Sequence, residues 1–63
     1  MPRFVRLTPK NDNIYKTVYI NCDAIESIFD TEDGAHITFL SGDNAYIDAI
    51  ESAEYVKRMA EEA

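Results

Sequence analysis

The sequence has few of the residues that usually cross-link a small protein, bind a metal or carry out catalysis. Its 63 residues include one cysteine, one histidine, two glycines and no tryptophan. A single cysteine excludes an internal disulfide, and one cysteine with one histidine is too few for an ordinary metal centre. No segment approaches the ~20 apolar residues that cross a bilayer, and the N-terminus lacks a signal-peptide core. We therefore expect one small cytoplasmic domain over residues 1–63, without membrane insertion, metal or cofactor.

Basic residues are also scarce, with six Lys and Arg against twelve Asp and Glu, which gives a formal net charge of −6. A negative field opposes binding to phosphate backbones and to anionic membrane surfaces. Four of the six basic residues nevertheless lie in the first sixteen positions: Arg3, Arg6, Lys10 and Lys16. A nucleic-acid-binding regulatory module that uses this basic N-terminal strand is therefore the alternative function.

The short chain predicts a thin margin of stability. A domain of this size buries only ~60% of its unfolded surface. Apolar burial at ~25 cal/mol/Å² then roughly cancels a conformational cost of ~1.5 kcal/mol per residue. Because the sequence offers no disulfide or metal site, we expect self-association to supply the additional stability, and we predict a homo-oligomer.

Alternating apolar and polar residues predict five short antiparallel strands at 3–8, 14–21, 25–30, 35–40 and 45–49. Pro9 is expected to end the first strand because it has no N–H to donate. In the third strand, Ile25 and Phe29 are expected to share one face, opposite Ile28. In the fourth, the residues on one face are Ala35, Ile37 and Phe39, opposite His36, Thr38 and Leu40.

The polar stretches between these strands predict tight turns. Thr31 to Gly34 and Ser41 to Asn44 each contain one of the two glycines, which adopt positive φ without steric cost. Residues 10–13 predict a polar loop, and residues 21–24 predict a short turn in which Asn and Asp bond their own backbone.

The C-terminal segment changes to a helical period. Ser52 is the predicted N-cap of a helix of about three turns. Its single apolar stripe consists of Val56, Met59, Ala60 and Ala63. The predicted fold is therefore mainly β within the α+β class: a five-stranded antiparallel meander, bent or partly closed like an SH3 barrel, with one C-terminal helix against the sheet.

The acidic residues of the turns do not predict a metal site. The group comprises Asp30, Glu32, Asp33 and Asp43, and the segment DTEDG does not fit the spacing of a calcium loop. We interpret these residues as solvated hairpin turns.

His36 and Cys22 are the only residues of their types, and they predict no catalytic dyad. A general base needs both a nucleophile and an orienting partner at short range. Neither glycine lies in a phosphate-binding motif. We expect an exposed or interface histidine, a small buried thiol and no enzymatic activity.

The four tyrosines are the candidate interface residues: Tyr15, Tyr19, Tyr46 and Tyr55. Exposed aromatic rings on a sheet stack nucleic-acid bases or anchor protein interfaces, where tyrosine is enriched. The acidic charge favours a protein interface. Half-burial of the rings under the helix and a loop is the remaining alternative.

Four segments together resemble the FlbD-like family of short bacterial proteins: VRLTP, VYINCDAIESI, HITFLSG and ESAEYVKRM. The matching positions are Leu7-Thr8, Ile20-Asn21 with Ile25, Ile37-Thr38-Phe39 with Gly42, and Glu51-Ser52 with Val56. The family is linked to flagellar operons and swarming motility, and related copies occur in phage. The resemblance implies a small accessory or adaptor protein without chemistry of its own.

A weaker similarity is to the LytTR type of DNA-binding domain, which presents basic loops to DNA where this chain has acidic ones. The sequence as a whole predicts a non-enzymatic interaction module that self-associates and presents a sheet edge or a tyrosine-bearing face to a protein partner. The partner itself is not identified by the sequence.

Overall fold

The computed structural model describes residues 3–10, 14–42 and 45–62. Its elements are β1 (Phe4–Leu7), β2 (Val18–Asn21), a 3₁₀ turn (Cys22–Ala24), β3 (Ile25–Thr31), β4 (Gly34–Phe39), β5 (Tyr46–Ala49) and α1 (Ala53–Glu62). Every strand pair is antiparallel. The predicted mainly β fold with one C-terminal helix is confirmed.

The strands form two sheets rather than one continuous meander. β1 pairs with β2, and β3, β4 and β5 form a three-stranded sheet in that order. The break falls where the 3₁₀ turn separates β2 from β3, so these two strands do not pair. The result is a bent, open arrangement and not a closed barrel.

The chain after β1 joins the two sheets. The Ile50 N–H donates to the Thr8 carbonyl at 3.0 Å, and the Lys10 N–H donates to the Asp48 carbonyl at 2.8 Å. Between them, Pro9 forms an isolated antiparallel bridge with Ala49. Strand β1 ends at Leu7, one residue earlier than predicted. The neighbours of Pro9 supply the hydrogen bonds that hold this segment along β5.

The core lies between the inner faces of both sheets and the helix. Its buried apolar residues are Val5, Leu7, Ile20, Ala35, Ile37, Ala49 and Val56. Met59 and Ala60 pack against it from the helix. The predicted apolar stripe of α1 is therefore confirmed at these positions, whereas Ala63 lies outside the described residues. No helix in the described ranges is long and apolar enough to cross a membrane.

The second strand is shorter than predicted, because the structure begins it at Val18 rather than at position 14. Its first partner is Leu7, the last residue of β1. Beyond Leu7 the chain turns to β5, so residues 14–17 have no strand to pair with. The prediction of strand at 14–17 is wrong for that reason.

A β-bulge in β3 overturns the predicted faces of that strand. Ile25 pairs with Phe39 and Ser27 with Thr38, so β3 advances by two residues while β4 advances by one. The extra residue shifts the alternation, as bulges do. Ile25 and Ile28 consequently both pack on the core, and Phe29 is 53% exposed. The expectation that Ile25 and Phe29 share a face is wrong.

Several of the predicted turn residues adopt the expected roles, whereas residues 11–13 of the predicted loop and residues 43–44 of the second hairpin turn lie outside the described residues. Gly34 and Gly42 have φ of +153° and +86°. The side chain of Asn21 accepts a hydrogen bond from the Asp23 N–H at 2.9 Å. Ser52 caps the helix, since its Oγ accepts from the Tyr55 N–H at 3.2 Å.

Candidate interaction surface

All four predicted interface tyrosines are solvent-accessible. The exposed fractions are 63% for Tyr15, 64% for Tyr19, 60% for Tyr46 and 39% for Tyr55. Neither the helix nor the described loops cover them, so the alternative of half-burial applies at most to Tyr55.

The tyrosines belong to different parts of the molecule. Tyr19 lies on β2 directly opposite Arg6, Tyr46 begins β5, and Tyr55 lies in the first turn of α1. Within the described part of the chain, the rings of these three make no contact with one another. They therefore do not form one surface.

Tyr46 instead belongs to a row of rings that crosses the three-stranded sheet. Its ring centroid lies 4.9 Å from that of His36, with an interplanar angle of 31°. The His36 ring lies 6.0 Å from that of Phe29 at 45°. One ring comes from each strand, so the row Phe29–His36–Tyr46, hereafter the aromatic row, spans β3, β4 and β5. Tilted pairs at such distances are favourable ring geometries.

The pleat of each strand explains this arrangement. On β4, Ala35 and Ile37 are buried, so His36 between them points to the outer face. Phe29 reaches the same face because of the bulge, and it pairs directly with His36 across the strands. The aromatic row is therefore a consequence of the core packing on the opposite face.

An acidic side chain holds the central ring of the row. His36 Nδ1 lies 2.7 Å from Asp48 Oδ1, and the two residues are directly paired across β4 and β5. Because an ionised carboxylate only accepts hydrogen bonds, the Nδ1–H of His36 is the donor. This bond orients the imidazole between the rings of Phe29 and Tyr46.

A shallow depression of about 380 Å³ borders the aromatic row. His36, Tyr46, Thr38 and Leu40 contribute to its lining, and Leu40 is 61% exposed. The Thr38 hydroxyl donates to Glu26 at 3.4 Å across the bulge. The outer face of the sheet thus combines exposed apolar area with polar groups that are already paired.

The acidic residues of the first hairpin do not converge on a site. Asp30, Glu32 and Asp33 are exposed, and Asp33 forms an ion pair with Lys10. The hydrogen bond and the charge of Lys10 lower the pKa of Asp33 below its ordinary value of 3.8. Asp43 lies outside the described residues. Among the residues that are described, no group of three His, Cys, Asp or Glu side chains is placed to hold a metal ion.

His36 and Cys22 lie in different environments. Cys22 is half-buried in the 3₁₀ turn and packs against the core. His36 lies on the outer face and bonds to Asp48. Of the basic N-terminal residues, Arg3 pairs with Asp23 at 3.2 Å and Lys10 with Asp33. Arg6 and Lys16 are exposed and form no ion pair with any described residue.

Sequence patterning found part of this surface. It predicted Tyr46 as an interface residue and placed His36 on the face of β4 opposite the core. It did not place Phe29 on this face, because the pattern of apolar and polar residues in β3 does not reveal the bulge. It also did not predict Asp48 as the partner of His36. Comparison of the chain with family models, with curated proteins and with solved structures finds no match. The resemblance to the FlbD-like family remains a prediction.

Proposed function

We propose that this chain is a small, non-enzymatic interaction module that associates with a second copy of itself through the outer face of the β3–β5 sheet. The observation that supports this most strongly is the aromatic row, in which the His36 ring lies against those of Phe29 and Tyr46 on three paired strands. Phe29 and Tyr46 are more than half exposed at its two ends.

The row has the properties of an interface anchor. Aromatic side chains are enriched at the centres of protein interfaces, where they bury large areas with few rotatable bonds. Here the backbone pairing sets the three rings side by side and the His36–Asp48 hydrogen bond orients the central one, so association costs that ring little additional side-chain entropy. Two such faces pack as aligned sheets about 10 Å apart.

The small size of the core favours a second copy of the chain as the partner that covers this face. The core contains few fully buried residues, so burying further apolar surface against a second copy is expected to add to the stability of this small fold. The acidic group nearest the row, Asp48, is already bonded to His36. The net charge of −6 makes two copies repel at long range. Salt screens that repulsion, and self-association is therefore expected to strengthen as the ionic strength rises.

Sedimentation equilibrium over a range of protein and salt concentrations tests the proposal. The wild-type chain is expected to form dimers, and the variant Phe29→Ser/Tyr46→Ser is expected to remain a folded monomer. Tyr19→Ser is the matched control, since Tyr19 has nearly the same exposure as Tyr46 but lies on the other sheet. A monomeric wild type, or dissociation by Tyr19→Ser alone, would overturn the proposal.

The resemblance to the FlbD-like family supports an accessory role in motility or in phage for such a module. Capture of tagged protein from host lysate, with and without nuclease treatment, tests that role. Flagellar or phage components that remain bound after nuclease treatment would support it, and their absence would contradict it.

Nucleic-acid binding is the second candidate, favoured by one observation on the other sheet. Arg6 and Tyr19 face each other on β1 and β2, and Phe4 lies two positions from Arg6 on the same face, 52% exposed. A guanidinium beside exposed rings can stack bases. Such binding weakens steeply with salt, which is the opposite of the salt dependence expected for self-association. Arg6→Gln is expected to abolish it.

A further inference from the structure

The imidazole of His36 has one ring nitrogen to which no described residue bonds. Its Nδ1–H donates to Asp48 Oδ1 at 2.7 Å. In the neutral ring the second nitrogen, Nε2, therefore carries a lone pair and no hydrogen. No unbonded side-chain nitrogen or oxygen is buried in the described part of the chain. Nε2 is therefore accessible from solvent, on a side chain that is 34% exposed.

The bond between His36 and Asp48 is of the kind that supports a metal-binding histidine. A histidine that ligates a metal through one nitrogen almost always donates the N–H of the other to a carboxylate, a carbonyl or water. That second bond fixes the tautomer and the ring orientation, and it raises the basicity of the ligating nitrogen. Asp48 makes this bond from the neighbouring strand. The ring of His36 is therefore oriented to bind a cation through Nε2.

Glu26 supplies a carboxylate on the same side of the sheet. The bulge in β3 lets Ile25 and Ile28 both pack on the core and leaves Glu26 between them exposed. The hydroxyl of Thr38 lies 3.4 Å from Glu26 Oε1, and the other carboxylate oxygen accepts no hydrogen bond from a described residue. Glu26 and His36 both line the depression of about 380 Å³ beside the aromatic row.

One copy of the chain has too few ligands to complete a metal centre here. Zinc takes four ligands in a tetrahedron, from His, Cys, Asp or Glu, and no three such side chains are grouped among the described residues. Two copies supply four. His36 is the central ring of the aromatic row, so a two-fold axis through the middle of the row brings it to its own counterpart. Aligned sheets pack about 10 Å apart, within reach of imidazoles from both sides.

We propose that the dimer formed through the outer face of the β3–β5 sheet binds one Zn²⁺ on its two-fold axis, ligated by His36 Nε2 and Glu26 of each copy. This site rests on the proposed self-association, because neither copy completes it alone. Two imidazoles and two carboxylates suit Zn²⁺, whereas Mg²⁺ prefers oxygen ligands and water. The cation also offsets the repulsion between two copies that each carry a net charge of −6. Zinc therefore favours the dimer over the monomer.

Titration of the untagged, chelator-treated chain with zinc chloride tests this site. Calorimetry measures the stoichiometry, and sedimentation equilibrium measures the dimer dissociation constant in chelator, in Zn²⁺ and in Mg²⁺. We expect one Zn²⁺ per two chains and a dimer at least about tenfold tighter in Zn²⁺ than in chelator. Mg²⁺ is expected to have no comparable effect. In NMR spectra of the imidazole nitrogens, zinc is expected to shift Nε2 of His36 while Nδ1 keeps its hydrogen.

Four variants locate the ligands, each scored by the ratio of its dimer dissociation constants without and with zinc. His36→Gln is expected to abolish the zinc response, and Glu26→Gln, which lies outside the aromatic row, is expected to reduce it. Glu61→Gln removes an equal charge near the exposed end of α1 and is the matched control. Cys22→Ser removes the single thiol. Both of these are expected to respond to zinc as the wild type does.

The outcomes separate the zinc site from the self-association on which it rests. The zinc site would be overturned, with self-association retained, by a dimer that zinc does not tighten or by one Zn²⁺ bound per single chain. A response that survives His36→Gln or disappears in Cys22→Ser would also overturn it. A chain that is monomeric both in chelator and in zinc would overturn the self-association as well.

Discussion

Glu51 accepts two hydrogen bonds from Thr8, one from its N–H to Oε1 and one from its hydroxyl to Oε2, each 2.9 Å long. The two residues are 43 positions apart. The contact ties the chain leaving β1 to the residues that precede α1, next to the bridge between Pro9 and Ala49. The contact therefore helps to hold the two sheets and the helix in one arrangement.

Removing the Glu51 carboxylate is expected to destabilise the fold. Glu51→Ala leaves a half-buried Thr8 N–H and hydroxyl without acceptors, and we expect a loss of about 1–3 kcal/mol in the free energy of unfolding. Thr8→Val removes only the hydroxyl bond and is expected to cost about 0.5–1.5 kcal/mol. Urea unfolding measures both.

The matched control for this contact is Glu54→Ala, which removes a glutamate whose ion pair with Arg58 is largely exposed. It is expected to change stability by less than about 1 kcal/mol. If Glu54→Ala costs as much as Glu51→Ala, the contact with Thr8 does not have the role assigned to it.

Gly34 is expected to be the less replaceable of the two glycines. A Cβ on Gly34 would lie 2.0 Å from the Ala49 carbonyl oxygen, whereas a Cβ on Gly42 would meet nothing within 4 Å. Gly34→Ala is therefore expected to cost at least about 3 kcal/mol, through combined steric overlap and backbone strain. Gly42→Ala is expected to cost about 1–2 kcal/mol, because only its φ of +86° is unfavourable. Thermal unfolding compares the two, and equal losses would contradict the close approach at Ala49.

The Lys10–Asp33 pair predicts a dependence of stability on acid pH. Lys10 lowers the pKa of Asp33 in the folded chain below its ordinary value of 3.8. A folded-state pKa below the unfolded one means that the pair stabilises the fold above pH 3.8. That contribution is lost as the pH falls through the folded pKa. Carboxyl-carbon NMR titration is expected to show the Asp33 pKa rising in Lys10→Gln and not in Lys16→Gln. An unchanged Asp33 pKa in Lys10→Gln would contradict the pairing.

The sequence was sufficient to predict elements whose signal is local. Alternation at Ala35, Ile37 and Phe39 identified β4 and its inner face, and the Ser52 cap with the stripe at Val56 and Met59 identified the helix. These features depend on the period of one element and on short-range hydrogen bonds, which neighbouring residues determine.

Features that depend on distant partners were not predictable in the same way. Residues 14–17 have strong strand propensity, yet they are not strand because β1 ends at Leu7 and offers no pairing beyond it. The outward position of Phe29 depends on one extra residue in β3 relative to β4. The aromatic row was therefore only partly predictable. The faces of Tyr46 and His36 follow from their own strands, whereas the face of Phe29 depends on the bulge.

The most direct test of self-association through the aromatic row is an NMR dilution series followed by amide and aromatic chemical shifts. We expect concentration-dependent shifts centred on Phe29, His36 and Tyr46, with the residues of β1 and β2 unaffected. Phe29→Ser/Tyr46→Ser is expected to abolish these shifts while retaining the dispersion of a folded chain. Shifts centred instead on Tyr19 and Arg6, or none at any concentration, would contradict the proposed interface.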